Sequence, residues 1–218
     1  VATQAERRKQ TRRKLLEAGT SVLLQQGAAG FSTVAVADAA ELSNGAVFNH
    51  FSTRLDLLTA TVEFALAELR EGFAQEFSVV GADASATELL SILWQCMDRP
   101  EQVAVTEVFA LARTNPELQE ALTPIVQDHH RHIKNMLALL ADAQVGAADN
   151  RSTDSGGTRP AHGITAEFVE SVSFLFIYAM VGLTINNAAG AGIGAEDDFL
   201  RLGQHIFNAV ELQGGEEG

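Results

Sequence analysis

From Leu58 to Phe77 the chain carries an apolar residue every three or four positions: Leu58, Val62, Leu66, Leu69, Phe73 and Phe77. That spacing sets all six on one face of an α-helix. A strand would scatter them over two faces, because its side chains alternate. Thr53 and Asp56 precede the run with capping-box spacing, so the sequence predicts one helix of about 25 residues, ~37 Å long. Period-2 alternation is almost absent from the chain. Only four prolines interrupt 218 residues, and the expected class is all-α.

The residues before this helix read as three shorter ones. Thr3 and Glu6 cap a first helix from Gln4 to Gln26, with an apolar stripe of Leu15, Leu16, Val22 and Leu23 and a stop at Gly27. Ser32 is placed to cap a second helix, with Phe31 and Val36 spaced as a hydrophobic staple. Val36, Ala37, Ala39 and Ala40 give that helix a face of small residues, which lets a neighbour cross closely. Glu41 to Gly45 reads as a turn, and Ser43 or Asn44 caps a very short third helix through Phe51. Further helices are expected at 86–97, 101–113, 116–143, 165–187 and 195–212, with Pro100 and Pro116 at helix starts, where a missing N–H costs little. Residues 144–163 are polar, Gly-rich and without periodicity, and are expected to form a mobile loop.

Charge divides the chain unevenly. Seven of the fifteen Lys and Arg residues but only four of the 28 Asp and Glu residues lie in residues 1–55, leaving that head at +3 and the remainder at −16. Such a balance suits a head that meets a polyanion and a body that repels it. The single Cys96 excludes an internal disulfide and fits a cytoplasmic location. No secretory h-region is present near the N-terminus. The apolar stretch Val172 to Ile185 is shorter than the ~20 residues a bilayer span requires, so it reads as a buried helix and no membrane partner is expected.

Helix, short turn, short helix and long capped helix within a basic head is the layout of a helix-turn-helix. The stretch from Gly30 to Phe51, GFSTVAVADAAELSNGAVFNHF, resembles the DNA-binding segment of tetracycline-repressor (TetR) family regulators. Arg12 to Ala18 and Thr53 to Leu58 resemble the family's flanking helices. The resemblance covers residues 10–60 specifically. It implies an all-α protein with an N-terminal three-helix DNA-binding domain, residues 1–52. A C-terminal helical domain for ligand binding and dimerisation, residues 53–218, would follow. The implied activity is ligand-responsive transcriptional regulation rather than catalysis, by a repressor binding a palindromic double-stranded DNA operator as a homodimer. No cofactor is implied.

Carried onto this chain, the resemblance assigns Ser32 and Thr33 to phosphate. Ser43, Asn44, Gly45, Ala46 and Asn49 fall to the groove, and His50 and Arg54 to the DNA backbone. Arg12 and Arg13 are placed to meet phosphates. Three positions depart from the family. Glu41 stands where the turn usually has Gly, Phe48 where a phosphate-binding Tyr is usual, and Ala35 where a polar residue is common. The Phe48 ring is expected to pack at the edge of the head's core. Trp94, Met97, Phe109, Met136, Phe168, Phe174 and Tyr178 are candidate walls for a small, largely apolar effector. Ala179, Gly182, Phe207 and Val210 are candidates for the dimer interface. Two rival features remain. Asp128-His129-His130-Arg131-His132 has spacings a metal-dependent enzyme could use, but lacks a second ligand cluster. Gly190 to Gly194 mimics a phosphate loop, yet follows a helix rather than a strand. A small-molecule-binding protein with a vestigial DNA-binding head is the further alternative.

Overall fold

The computed structural model describes residues 3–80, 86–95, 99–152, 179, 181–182, 184–185 and 201. Among the described residues every regular element is a helix: α1 Gln4–Gly30, α2 Thr33–Ala39, α3 Asn44–Phe48, α4 Arg54–Val80, α5 Ala86–Gln95, α6 Pro100–Ala112 and α7 Pro116–Ser152. The chain divides into two compact units, residues 1–69 with 99–127 and residues 70–98 with 128–218. The unit that holds the three head helices therefore also takes in the first half of α4, all of α6 and the start of α7. None of the described helices is long and apolar enough to cross a membrane.

The expected caps form. The Thr3 hydroxyl accepts the Glu6 N–H at 3.2 Å, and the Thr3 N–H donates back to the Glu6 carboxylate. Thr53 and Asp56 make the same reciprocal pair at 3.0 Å each, fixing the start of α4. Gly27 interrupts α1 with φ +66°, a backbone conformation L side chains rarely adopt, and the chain then takes one further turn to Gly30. The caps and the break at Gly27 agree with the sequence reading, whereas the further turn to Gly30 lengthens a helix expected to end at Gln26.

The first unit's core is built from the predicted stripes. Leu15, Val22 and Leu23 of α1, Val36 of α2, Val47 of α3 and Leu57, Leu58 and Val62 of α4 are all buried, as are Val105 and Val108 of α6. Gly19 lets α1 approach α4: a Cβ there would lie 2.6 Å from the Thr61 hydroxyl oxygen. A long-range clamp sets the corner between α1 and α2. Arg54, at the start of α4, donates from Nε to the Phe31 carbonyl at 2.7 Å and from Nη2 to the Ala28 carbonyl at 3.2 Å.

α7 departs from expectation. It continues as helix through Ser152 rather than ending near Ala143, so the first part of the segment expected as a loop is helical. Ala141, Ala143, Ala147 and Ala148 are strong helix formers, and together they outweigh the single Gly146. The rest of that segment, residues 153–163, lies outside the described residues, as do most of the two helices expected after it.

Candidate nucleic-acid interface

α2 ends in a tight reversal that aims α3. The Glu41 N–H donates to the Asp38 carbonyl at 3.0 Å and the Leu42 N–H to the Ala37 carbonyl at 2.9 Å, the pair of bonds of a Schellman motif. Glu41 takes the left-handed position of that motif with φ +53°. The turn thus keeps the geometry that Gly would adopt, with a side chain in its place. Leu42 packs against the core just beyond it.

α3 is short, but both its ends are fixed. At its start Ser43 caps it, the hydroxyl oxygen accepting the Ala46 N–H at 3.2 Å. At its end Arg8 of α1 reaches across 41 residues of sequence to donate to the Asn49 carbonyl at 3.3 Å. Val47 is fully buried and anchors the helix to the head. Ser43, Asn44, Gly45, Phe48 and Asn49 are exposed, whereas Ala46 and His50 are half-buried. A Cβ added at Gly45 would meet only the Ser43 hydroxyl oxygen, at 3.8 Å. Beside the exposed Phe48 ring, α3 therefore presents short polar groups and open space, suited to base edges approached in a groove.

Phe48 corrects the expectation for its ring. At 51% exposure it is among the largest exposed apolar side chains of the head, and it stands outside the core cluster instead of packing at its edge. The reason is local: Val47 and Phe51 take the inward positions, and a single turn of helix has no room for a third large residue on that side.

The basic side chains differ in how far the fold engages them. Arg12 lies over the Phe51 ring, 5.1 Å from its centroid, and is exposed. Arg13 pairs with Glu17 at 2.8 Å and with Glu68 of α4 at 3.6 Å. Arg54 holds the two backbone carbonyls described above. Beside Arg12 sits His50, whose Nδ1 is buried with no hydrogen-bond partner among the described residues. Burial, then the charges of Arg8 and Arg12, hold its imidazole below the ordinary histidine pKa. Ser32 and Thr33 are half-buried at the start of α2, and the Ser32 oxygen accepts the Ala35 N–H at 3.1 Å.

Sequence reasoning did not find the Arg8 clamp on α3 or the Arg54 clamp on the α1–α2 corner. Both join residues far apart in the chain, and no local pattern encodes them. The other candidates scatter. Trp94 and Met136 are half-buried in the second unit, but Phe109 packs against the first unit's core. Ala179 is half-buried; Gly182 is exposed, with nothing within 4 Å of an added Cβ. Met97, Phe168, Phe174, Tyr178, Phe207 and Val210, with Cys96 and Gly190 to Gly194, lie outside the described residues. The Asp128 carboxylate is taken by Arg131 at 3.1 Å and His132 at 3.3 Å. Among the described residues no three His, Cys, Asp or Glu side chains group to hold a metal.

A capped, polar-faced short helix held across a second helix by a tight turn, in a basic head, defines a helix-turn-helix DNA-binding protein. Known proteins agree. The sequence model for bacterial regulatory proteins of the tetR family matches residues 15–61. An uncharacterised HTH-type transcriptional regulator of Mycobacterium tuberculosis (strain ATCC 25618 / H37Rv) is 29% identical over 143 residues, 65% of this chain and 73% of that protein. The HTH-type transcriptional regulator CymR of Pseudomonas putida is 45% identical over 69 residues, 32% of this chain and 34% of CymR. The fold is also that of the multidrug binding protein EbrR, solved in complex with imidazole: TM-score 0.59, 20% identity, 89% of this chain and 93% of that one. Residues 15–61 thus carry the DNA-binding segment of the TetR family of transcriptional regulators.

Proposed function

We propose that the chain is a repressor. It binds a near-palindromic operator as a homodimer in the cytoplasm and leaves it when a small effector enters its C-terminal domain. Residues 1–52 form the DNA-binding head and residues 53–218 the effector-binding and dimerisation part. The observation that carries this reading is the face of α3: Ser43, Asn44, Gly45 and Asn49 are exposed on a helix fixed at both ends by Val47, the Ser43 cap and Arg8. Groups held this rigidly lose little freedom when they meet base edges, which favours discrimination. Ser32, Thr33, Arg12, Arg13, His50 and Arg54 flank the face and are assigned to phosphates. Phe48 is exposed beside them and meets the DNA with its ring. A ligand complex of the structurally similar EbrR supports effector binding in the body. The exposed Gly182 is assigned to the dimer interface with Ala179.

Two identical heads require two half-sites, with centres ~34–36 Å apart or a multiple of that. The experiment is selection of genomic fragments from the host by the purified chain, followed by footprinting. An inverted repeat is expected, lost in Asn44→Ala/Asn49→Ala with the melting temperature retained. No enriched fragment, or a single unrepeated half-site, would refute the reading.

A further inference from the structure

Arg70 of α4 and His129 of α7 meet within the second unit, with Nη1 3.1 Å from Nδ1. A guanidinium has only donors, so Nδ1 must be the acceptor, and the imidazole is neutral with its proton on Nε2. The surroundings enforce that state: burial, then the adjacent Arg70 charge, pushes the His129 pKa down to about 4. Both side chains are half-buried. Among the described residues Arg70 has no carboxylate partner, and His129 is its one hydrogen-bonding side chain. Asp128, the acid next to His129, is already held by Arg131 and His132.

The pair thus offers the remaining guanidinium N–H groups and the Nε2–H, one fixed positive charge and no acceptor. A half-buried charge in that state favours an anionic acceptor over any neutral group. Apolar side chains line the same helix faces. Phe73 and Phe77 follow Arg70 along one face of α4, their rings stacked at 6.4 Å and 3°. Ile133 and Met136 follow His129 at helical spacing on α7 and are half-buried. A single guanidinium neutralises one unit of charge, which suits a carboxylate better than a phosphate dianion.

We propose that Arg70 and His129 anchor the carboxylate of an organic acid whose apolar body lies along Phe73, Phe77 and Met136. The inference rests on the reading of this body as an effector-binding domain and names the effector's class. The carboxylate accepts the paired N–H donors of Arg70 and the Nε2–H of His129, while the apolar body leaves water.

The test is calorimetric titration of the full chain without DNA. The probes are benzoate, 3-phenylpropanoate, hexanoate and octanoate, each against its own amide, with inorganic phosphate alongside. At least one acid should bind tenfold or more tightly than its amide. Arg70→Gln should abolish that preference, and Arg70→Lys, which keeps the charge but not the planar fork, should weaken it several-fold. Circular dichroism should show both variants folded; should Arg70→Gln fail to fold, Arg70→Lys carries the comparison. Equal binding of acid and amide, no binding by any acid, phosphate binding as tightly as the acids, or a preference that survives in the variants would each overturn the proposal. Operator binding is scored separately, so a chain that binds acids but no DNA would refute the regulator reading alone.

Discussion

Replacing Glu41 by Gly should stabilise the protein. Its φ of +53° places a Cβ in the left-handed region, which costs a non-glycine residue roughly 1–2 kcal/mol. Gly removes that cost but brings back about 0.5–1 kcal/mol of unfolded-state freedom. The Lys14 contact that would be lost is 3.9 Å long between side chains 51% and 88% exposed, so it contributes little. The Schellman hydrogen bonds from the Glu41 and Leu42 amides belong to the backbone and survive the change. The net expectation is a gain of about 0.5–1 kcal/mol, or ~1–4 °C in melting temperature for a chain of this size. Urea unfolding of the wild type, Glu41→Gly and Glu41→Ala measures it, read at the midpoint with the slope unchanged. Glu41→Ala keeps the Cβ and loses the carboxylate, so it should gain nothing. Should Gly destabilise, or Ala stabilise as much as Gly, the turn is not strained at this position and the reasoning fails.

Gly45→Ala should stabilise α3 by ~0.5–1 kcal/mol, because the added Cβ meets only the Ser43 oxygen at 3.8 Å. Operator affinity should nonetheless fall by tenfold or more, and an unchanged affinity would put Gly45 outside the groove. Phe48→Tyr should leave the melting temperature within a degree, since the ring is already exposed. It should tighten binding to operator and random duplex alike by adding one phosphate hydrogen bond; tightening on the operator alone would mean that the ring faces a base. His50 is held below its ordinary pKa in the free protein by burial, Arg8 and Arg12, and a phosphate beside it would raise that value in the complex. Affinity should therefore rise as pH falls through the bound-state pKa and level off below the free-state one. His50→Gln should remove this dependence, and a wild-type profile that His50→Gln leaves unaltered would refute the placement. Gly19→Ala should cost about 1–3 kcal/mol in thermal or urea unfolding, since its Cβ would sit 2.6 Å from the buried Thr61 hydroxyl; a neutral result would mean that α1 and α4 can part.

What the sequence made legible was local. The capping boxes at Thr3 and Thr53, the Ser32 and Ser43 caps and the break at Gly27 all follow from chemistry within four residues, and each formed where expected. The core stripe of α4 follows from a period that admits one face. Three other features could not be read that way. The fate of Phe48 depends on which of three neighbouring apolar residues win the two inward places on one turn, and periodicity over five residues does not rank them. The end of α7 is masked by the polar composition after residue 143, which hides the alanines that sustain helix through Ser152. Phe109 has the apolar neighbours of a pocket wall, yet α6 packs on α1, and nothing in α6 encodes its partner.

The same long-range contacts decide how the head's charge is deployed. A net charge of +3 over residues 1–55 suggests a uniformly sticky surface, but the fold divides its cations by task. Arg54 satisfies the Ala28 and Phe31 carbonyls at the α1–α2 corner, and Arg8 fixes the end of α3 through the Asn49 carbonyl. Arg13 is drawn to Glu17 and Glu68, towards α4. Each of these hydrogen bonds uses only some of the guanidinium's five donors, so the charge remains while the side chain is held in place. A cation already ordered by the fold gives up less conformational entropy on meeting a phosphate than a free one does. Arg8 and Arg54 sit on the joints that orient α2 and α3, so a phosphate drawn to either guanidinium also acts on the angle between those helices. Under the proposed function, backbone attraction, which is blind to sequence, is thereby tied to the placement of the α3 face.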